Sequence, residues 1–115
     1  MIQADLFDNE LLAARELHKN KFYRAAGAMT GVLLEKHLKE VCTSHSIPIS
    51  KKNPTLSDLN ELLKSNSIID TPQWRHISFL ADIRNLCSHN KSVDPSSDQV
   101  KDLIDGTDKI LRIVH

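Results

Sequence analysis

The chain has few of the features that announce a compartment or a chemistry. No run of about eighteen apolar residues exists, the length a helix needs to span a bilayer core, so a membrane span is not expected. The opening Met1-Ile2-Gln3-Ala4-Asp5 has neither the basic nor the apolar stretch of a signal peptide, so export is not expected either. Cysteine is limited to Cys42 and Cys87, too few for a disulfide framework. Both fall inside apolar helical patterns where a free thiol serves as a small core residue, which fits a reducing cytoplasm. An excess of one charge is missing as well, because fifteen cations balance fifteen anions. Zero net charge sets up no global field toward nucleic acid or an anionic membrane, so any contact with a polyanion has to be local. There is no glycine-rich phosphate loop, no His-Glu-x-x-His and no strand to carry a serine nucleophile, which argues against nucleotide triphosphate hydrolysis. Aromatics make up 4% of the chain, and Phe22, Tyr23, Trp74 and Phe79 do not alternate with basic residues as a base-stacking platform does.

What is present is a helical pattern. With 115 residues, 40% hydrophobic and 26% charged, the composition is that of one globular domain over 1–115. A chain of this length buries roughly two-thirds of its unfolded surface, enough for a core without disulfides or metals. Loop-like clusters at Ser46–Pro54, Asn66–Pro72 and Asn90–Ser97 divide it into blocks. From Asp5 to Lys19, Leu6, Phe7, Leu11, Ala14 and Leu17 line one helix face. From Lys21 to Ser44, Phe22, Ala26, Met29, Leu33, Leu34, Leu38 and Val41 recur at threes and fours, which predicts the longest and most central helix.

Thr55 or Ser57 can cap a short third helix carrying Leu56, Leu59, Leu62 and Leu63. Thr71 followed by Pro72 predicts the next start, with threonine as cap and proline in the first helical position, where its missing amide is not needed. That helix carries Trp74, Ile77, Leu80, Ile83 and Cys87 and ends near His89. Asp94 or Ser96 opens the last, with Val100, Leu103, Ile104, Ile110, Leu111 and Val114 on its inner side. No segment alternates apolar and polar with β-branched enrichment, so strands are not expected. The expected fold is all-α, an antiparallel bundle of four long helices and one short one.

The fourth helix ends in Arg84-Asn85-Leu86-Cys87-Ser88-His89. An arginine, a polar residue directly after it and a histidine five positions beyond the arginine resemble the signature of the HEPN superfamily, which is Arg, four to six residues, then His. The setting is similar too, since that family carries the motif late in a bundle of four or five helices, before a loop and the closing helix. The resemblance covers essentially the whole chain. It implies a homodimer that brings both motifs to one cleft and cuts RNA without a metal or cofactor, by attack of a ribose 2′-hydroxyl on the neighbouring phosphate. Toxin and antiviral-defence roles follow from it, with an antitoxin or a defence-system protein as a further partner. The alternative within the family is a non-catalytic module that binds nucleotide, RNA or a partner protein.

The residue types suit that reaction. Histidine, with an ordinary pKa near 6.5, takes or gives a proton at neutral pH. Arginine stays charged and presents a planar fork of donors to a phosphate. His89 is thus the candidate acid or base, Arg84 the stabiliser of transition-state charge, and Asn85, four residues before His89, the orienter. Arg75 and Lys91 are candidate phosphate contacts, because between Gln73 and Lys91 the three cations Arg75, Arg84 and Lys91 face only Asp82. Arg84 and His89 differ by about 140° around an ideal helix, so one subunit does not readily converge them and the dimer matters. A purely structural reading competes, in which Arg84 pairs with a carboxylate, Asn85 lies in solvent and His89 caps the end of its helix. In the branch silenced by AMP transfer a tyrosine lies two residues past the histidine; Lys91 stands there, which argues against that control.

Two other constellations compete. Cys42 with His45 and Cys87 with His89 make a four-ligand zinc set on paper, although the second spacing is tighter than usual zinc pairs and the core explains both thiols. Gly27 and Gly31, beside Ala26 and Ala28, form a small-residue face suited to a close helix crossing or, alternatively, a dimer seam. His18, His37, His45, His76 and His115 are given no catalytic role.

Overall fold

The computed structural model describes residues 2–88 and 93–115. These form five α-helices: α1 Ile2–Lys19, α2 Tyr23–Ser44, α3 Leu56–Ser65, α4 Thr71–Ser88 and α5 Ser97–Ile113. Among the described residues there is no strand, and the all-α expectation holds. At 22 residues α2 is the longest helix, and it packs against each of the other four.

Helix starts follow local side-chain chemistry. Thr55 rather than Ser57 caps α3: its hydroxyl accepts from the Asp58 amide while the Asp58 carboxylate accepts from the Thr55 amide at 2.9 Å. Ser96 rather than Asp94 caps α5 in the same reciprocal way with Gln99. The expected start of α4 is off by one residue. Asp70, not Thr71, is the cap, since its carboxylate accepts from the Gln73 amide at 2.8 Å and the Gln73 side chain accepts from the Asp70 amide at 2.9 Å. Pro72 then sits in the second helical position, where an amide still has no partner within the helix.

The core is built from Leu33, Leu34, Leu38 and Val41 of α2, Leu59 and Leu63 of α3, Ile77, Leu80 and Ile83 of α4, and Val100, Leu103, Ile104 and Ile110 of α5, all buried. Leu11 and Ala14 of α1 close over it. Phe22 and Met29, which share the expected inner stripe of α2, are exposed instead. Thr30 and His37 take inward positions on that helix. Buried Asn60 ties α3 to α4, donating to the Trp74 carbonyl at 3.0 Å and to Ser78 Oγ at 3.1 Å. After α5 the chain turns extended, and the Val114 carbonyl accepts from His37 Nε2 at 2.6 Å. Among the described residues, no helix is long and apolar enough to cross a membrane.

Candidate functional site

The site begins with a close crossing of α2 and α4. A side-chain carbon added to Gly27 would collide with Cys87 Sγ, and one added to Gly31 with Arg84 Cγ. The small-residue face of α2 is therefore occupied within the protomer by α4, and the close-crossing reading of Gly27 and Gly31 replaces the dimer-seam one.

Arg84 lies across Gly31 and donates from Nη2 to Glu35 Oε2 at 2.9 Å. Both side chains are half-buried, at 21% and 20% exposure, so the pair is shielded more than a surface contact. Lys39 Nζ stands 3.4 Å from the other Glu35 oxygen. Arg84 Nε is buried and has no hydrogen-bond partner among the described residues. The guanidinium is thus fixed at its stem by Gly31 and at one arm by Glu35.

Asn85 and Arg75 are both exposed on α4. Nine residues at about 100° each put Arg75 half a turn from Arg84, so one protomer does not bring them together. His89 and Lys91 lie outside the described residues.

The flanks of that stretch are held by Arg24, which no spacing or motif singled out. Its Nη1 donates to the Leu86 carbonyl in the last turn of α4 at 2.8 Å, where carbonyls lack helical partners and a cation is favoured. Its Nη2 donates to Asp94 Oδ1 at 2.8 Å and to the Val93 carbonyl at 3.4 Å. One guanidinium therefore joins the end of α4 to the lead into α5.

Between α1 and α2 the surface is apolar. Met29 and Val32 on α2, the latter 60% exposed, line a shallow hollow of about 450 Å³ together with Asn9, Glu10 and Ala13 of α1. Val32 is about 100° and Met29 about 160° around α2 from Gly31, so this hollow lies on a different side of the helix from the Arg84 crossing.

Residues 13–115 match a family described as a domain of unknown function, DUF4145. The chain belongs to the DUF4145 family. No curated protein matches it, and no solved structure does.

In this DUF4145 chain the two thiols are core groups. Cys42 and Cys87 are buried, and burial pushes both above the ordinary thiol range, opposed at Cys87 by the nearby Arg24. His45 points elsewhere, its Nε2 lying 2.8 Å from the His115 carbonyl. Among the described residues, no group of three or more His, Cys, Asp or Glu is placed to hold a metal ion. Glu35, like Arg24, is a residue that the sequence did not mark out. Its only signal was its position four residues after Gly31 on the same helix face.

Proposed function

We propose that this DUF4145 chain is a metal-independent endoribonuclease of HEPN type, with the antiparallel helix arrangement of that superfamily, acting as a homodimer in a toxin or antiviral-defence role. In this reading the 2′-oxygen forms a bond to phosphorus while the bond from phosphorus to the 5′-oxygen breaks, leaving a 2′,3′-cyclic phosphate. One His89 takes the 2′-hydroxyl proton, and its symmetry mate gives a proton to the departing 5′-oxygen. Arg84 neutralises the charge that builds on the phosphoryl oxygens. Asn85 orients the imidazole, and Arg75 and Lys91 hold flanking phosphates.

The observation that carries the reading is the fixed guanidinium of Arg84, held against Gly31 and by Glu35 at 2.9 Å on the helix that leads to His89. A donor fixed before substrate arrives needs no reorganisation in the transition state. For the second subunit, the exposed apolar Met29 and Val32 of the hollow between α1 and α2 offer a candidate contact, since apolar surface left in water favours association.

The test is incubation of pure protein with RNA in a metal chelator, followed by analysis of the new ends. Cyclic phosphates that vanish in Arg84→Ala and His89→Ala, with fold and dimer retained, support the enzyme; unchanged cleavage in either variant refutes the site. A second reading, a non-catalytic module, is favoured by the carboxylate that already neutralises Arg84. Tight binding of RNA that stays intact selects it.

A further inference from the structure

The turn between α1 and α2 and the residues ahead of α5 frame an open groove of about 510 Å³, lined among others by Lys21, Phe22, Arg24, Ala28, Asp94 and Pro95. That volume falls within the roughly 300–1,000 Å³ of ordinary ligand sites. The turn is firmly set: Lys21 adopts a left-handed φ of 68°, its amide bonding the His18 carbonyl at 3.0 Å and the next amide bonding the Leu17 carbonyl at 2.9 Å. Tyr23 is engaged from behind by the His18 ring at 5.4 Å. Phe22 by contrast stands 61% exposed at the groove.

Electrostatics select among occupants. Asp94, a carboxylate of the lining, is paired with Arg24 at 2.8 Å, while Lys21 is exposed and forms no ion pair among the described residues. The groove thus offers an aromatic face beside an uncommitted ammonium. An aromatic face with adjacent cations is the local arrangement that holds an unpaired base and its phosphate. An anionic membrane asks for a cluster of several cations, and the chain has no net positive charge. The groove also opens at Arg24, which joins the Leu86 and Val93 carbonyls on either side of the stretch that contains His89.

We propose that this groove is a subsite for single-stranded RNA, with a base stacked on Phe22 and the adjoining phosphate on Lys21. The choice of RNA rests on the ribonuclease reading above, of which this is the strand-holding part. Recognition of this kind tolerates any base, because every base presents a π-face. The aromatics that seemed not to interleave with basic residues do so locally, at Lys21-Phe22-Tyr23-Arg24.

The test uses the full chain and a fluorescent 2′-O-methyl oligoribonucleotide of about eight nucleotides, which lacks the attacking hydroxyl and stays intact while binding is read by anisotropy. Phe22→Ala weakens binding about tenfold and Phe22→Trp restores it. Lys21→Ala lowers the slope of log affinity against log salt by about 0.7, the loss of one phosphate contact on a single strand. Lys52→Glu, a charge change in the loop before α3, leaves binding unaltered. Native-like binding by both groove variants overturns the subsite, and if those variants still produce cyclic ends the ribonuclease reading stands without it. Absence of binding by the native chain also overturns it. If Phe22→Ala dissociates the dimer instead, the groove is a subunit contact and the inference fails. Weakened binding with RNA that the native chain never cuts keeps the subsite and removes the nuclease.

Discussion

Arg84 and Gly31 fit one another as stem and slot, the arginine Cγ occupying the space that a side chain on residue 31 would need. Alanine is favoured over glycine in a helix by about 1 kcal/mol, so Gly31→Ala would stabilise α2 if nothing stood in the way. With Arg84 in place the collision outweighs that gain, and overpacking of this kind costs about 1–3 kcal/mol. In an Arg84→Ala background the same change becomes stabilising by up to about 1 kcal/mol. Urea denaturation of the four proteins measures the coupling, and equal effects in both backgrounds would show that the two residues are independent.

Glu35→Gln keeps the shape of the partner and removes its charge. A half-buried charge-assisted bond becomes a neutral one, which lowers stability by about 1 kcal/mol. On the proposed nuclease reading, with Glu35 holding the guanidinium in place, RNA cleavage falls about tenfold in a protein whose fold and oligomeric state match the native chain. Glu35→Asp retains the charge on a shorter stem and recovers part of the rate. Cleavage at the native rate in Glu35→Gln would mean that Arg84 keeps its working place without the carboxylate.

Helix identity was legible in the sequence because α2 gives each of the other helices something to bury against, so apolar spacing marked each helix. Which of two neighbouring stripes turns inward was less legible. Phe22 and Met29 have the spacing of core residues and are exposed, while Thr30 is buried by returning its hydroxyl to the Ala26 carbonyl at 2.8 Å. The start of α4 was misjudged because Thr71-Pro72 is a plausible start by itself, and only the reciprocal bonds of Asp70 with Gln73 decide against it. At the candidate site, Arg84 and Asn85 stood out because they are neighbours in the chain. Glu35 lies 49 residues from Arg84, and Arg24 reaches partners 62 and 70 residues away, distances over which no spacing rule operates.

Buried His37 and partly buried His76 give the fold a pH dependence. His37 has its Nε2 bound to the Val114 carbonyl and its Nδ1 buried without a partner among the described residues, so the neutral ring suits the site. Burial lowers its pKa, with His115 acting in the same direction and the Val114 bond and Glu40 opposing. His76 is lowered too, by burial and by Lys109. Each ring therefore binds a proton more readily in the unfolded chain, where the pKa is near 6.5. Stability is unaffected by these groups well above that value and declines as pH falls below it, levelling off beneath the folded-state values. The urea midpoint should drop between pH 7.5 and pH 5.5, and the drop should shrink in a His37→Gln, His76→Gln double variant. An equal drop in that variant would assign the effect to other groups.

In the proposed dimer, the hollow between α1 and α2 is the candidate subunit contact. Val32 is 60% exposed, so Val32→Asp leaves the isolated fold within about 0.5 kcal/mol of native stability. In a symmetric contact across this face, two new carboxylates would be buried together without partners, a penalty large enough to separate the subunits. The variant is then expected to sediment at the 13.0 kDa of a single chain, with native helix content and no cleavage. Dimers that still cut RNA would place the subunit contact elsewhere. Monomers that still cut would remove the need for a composite site and leave Arg84 and His89 to act within one chain.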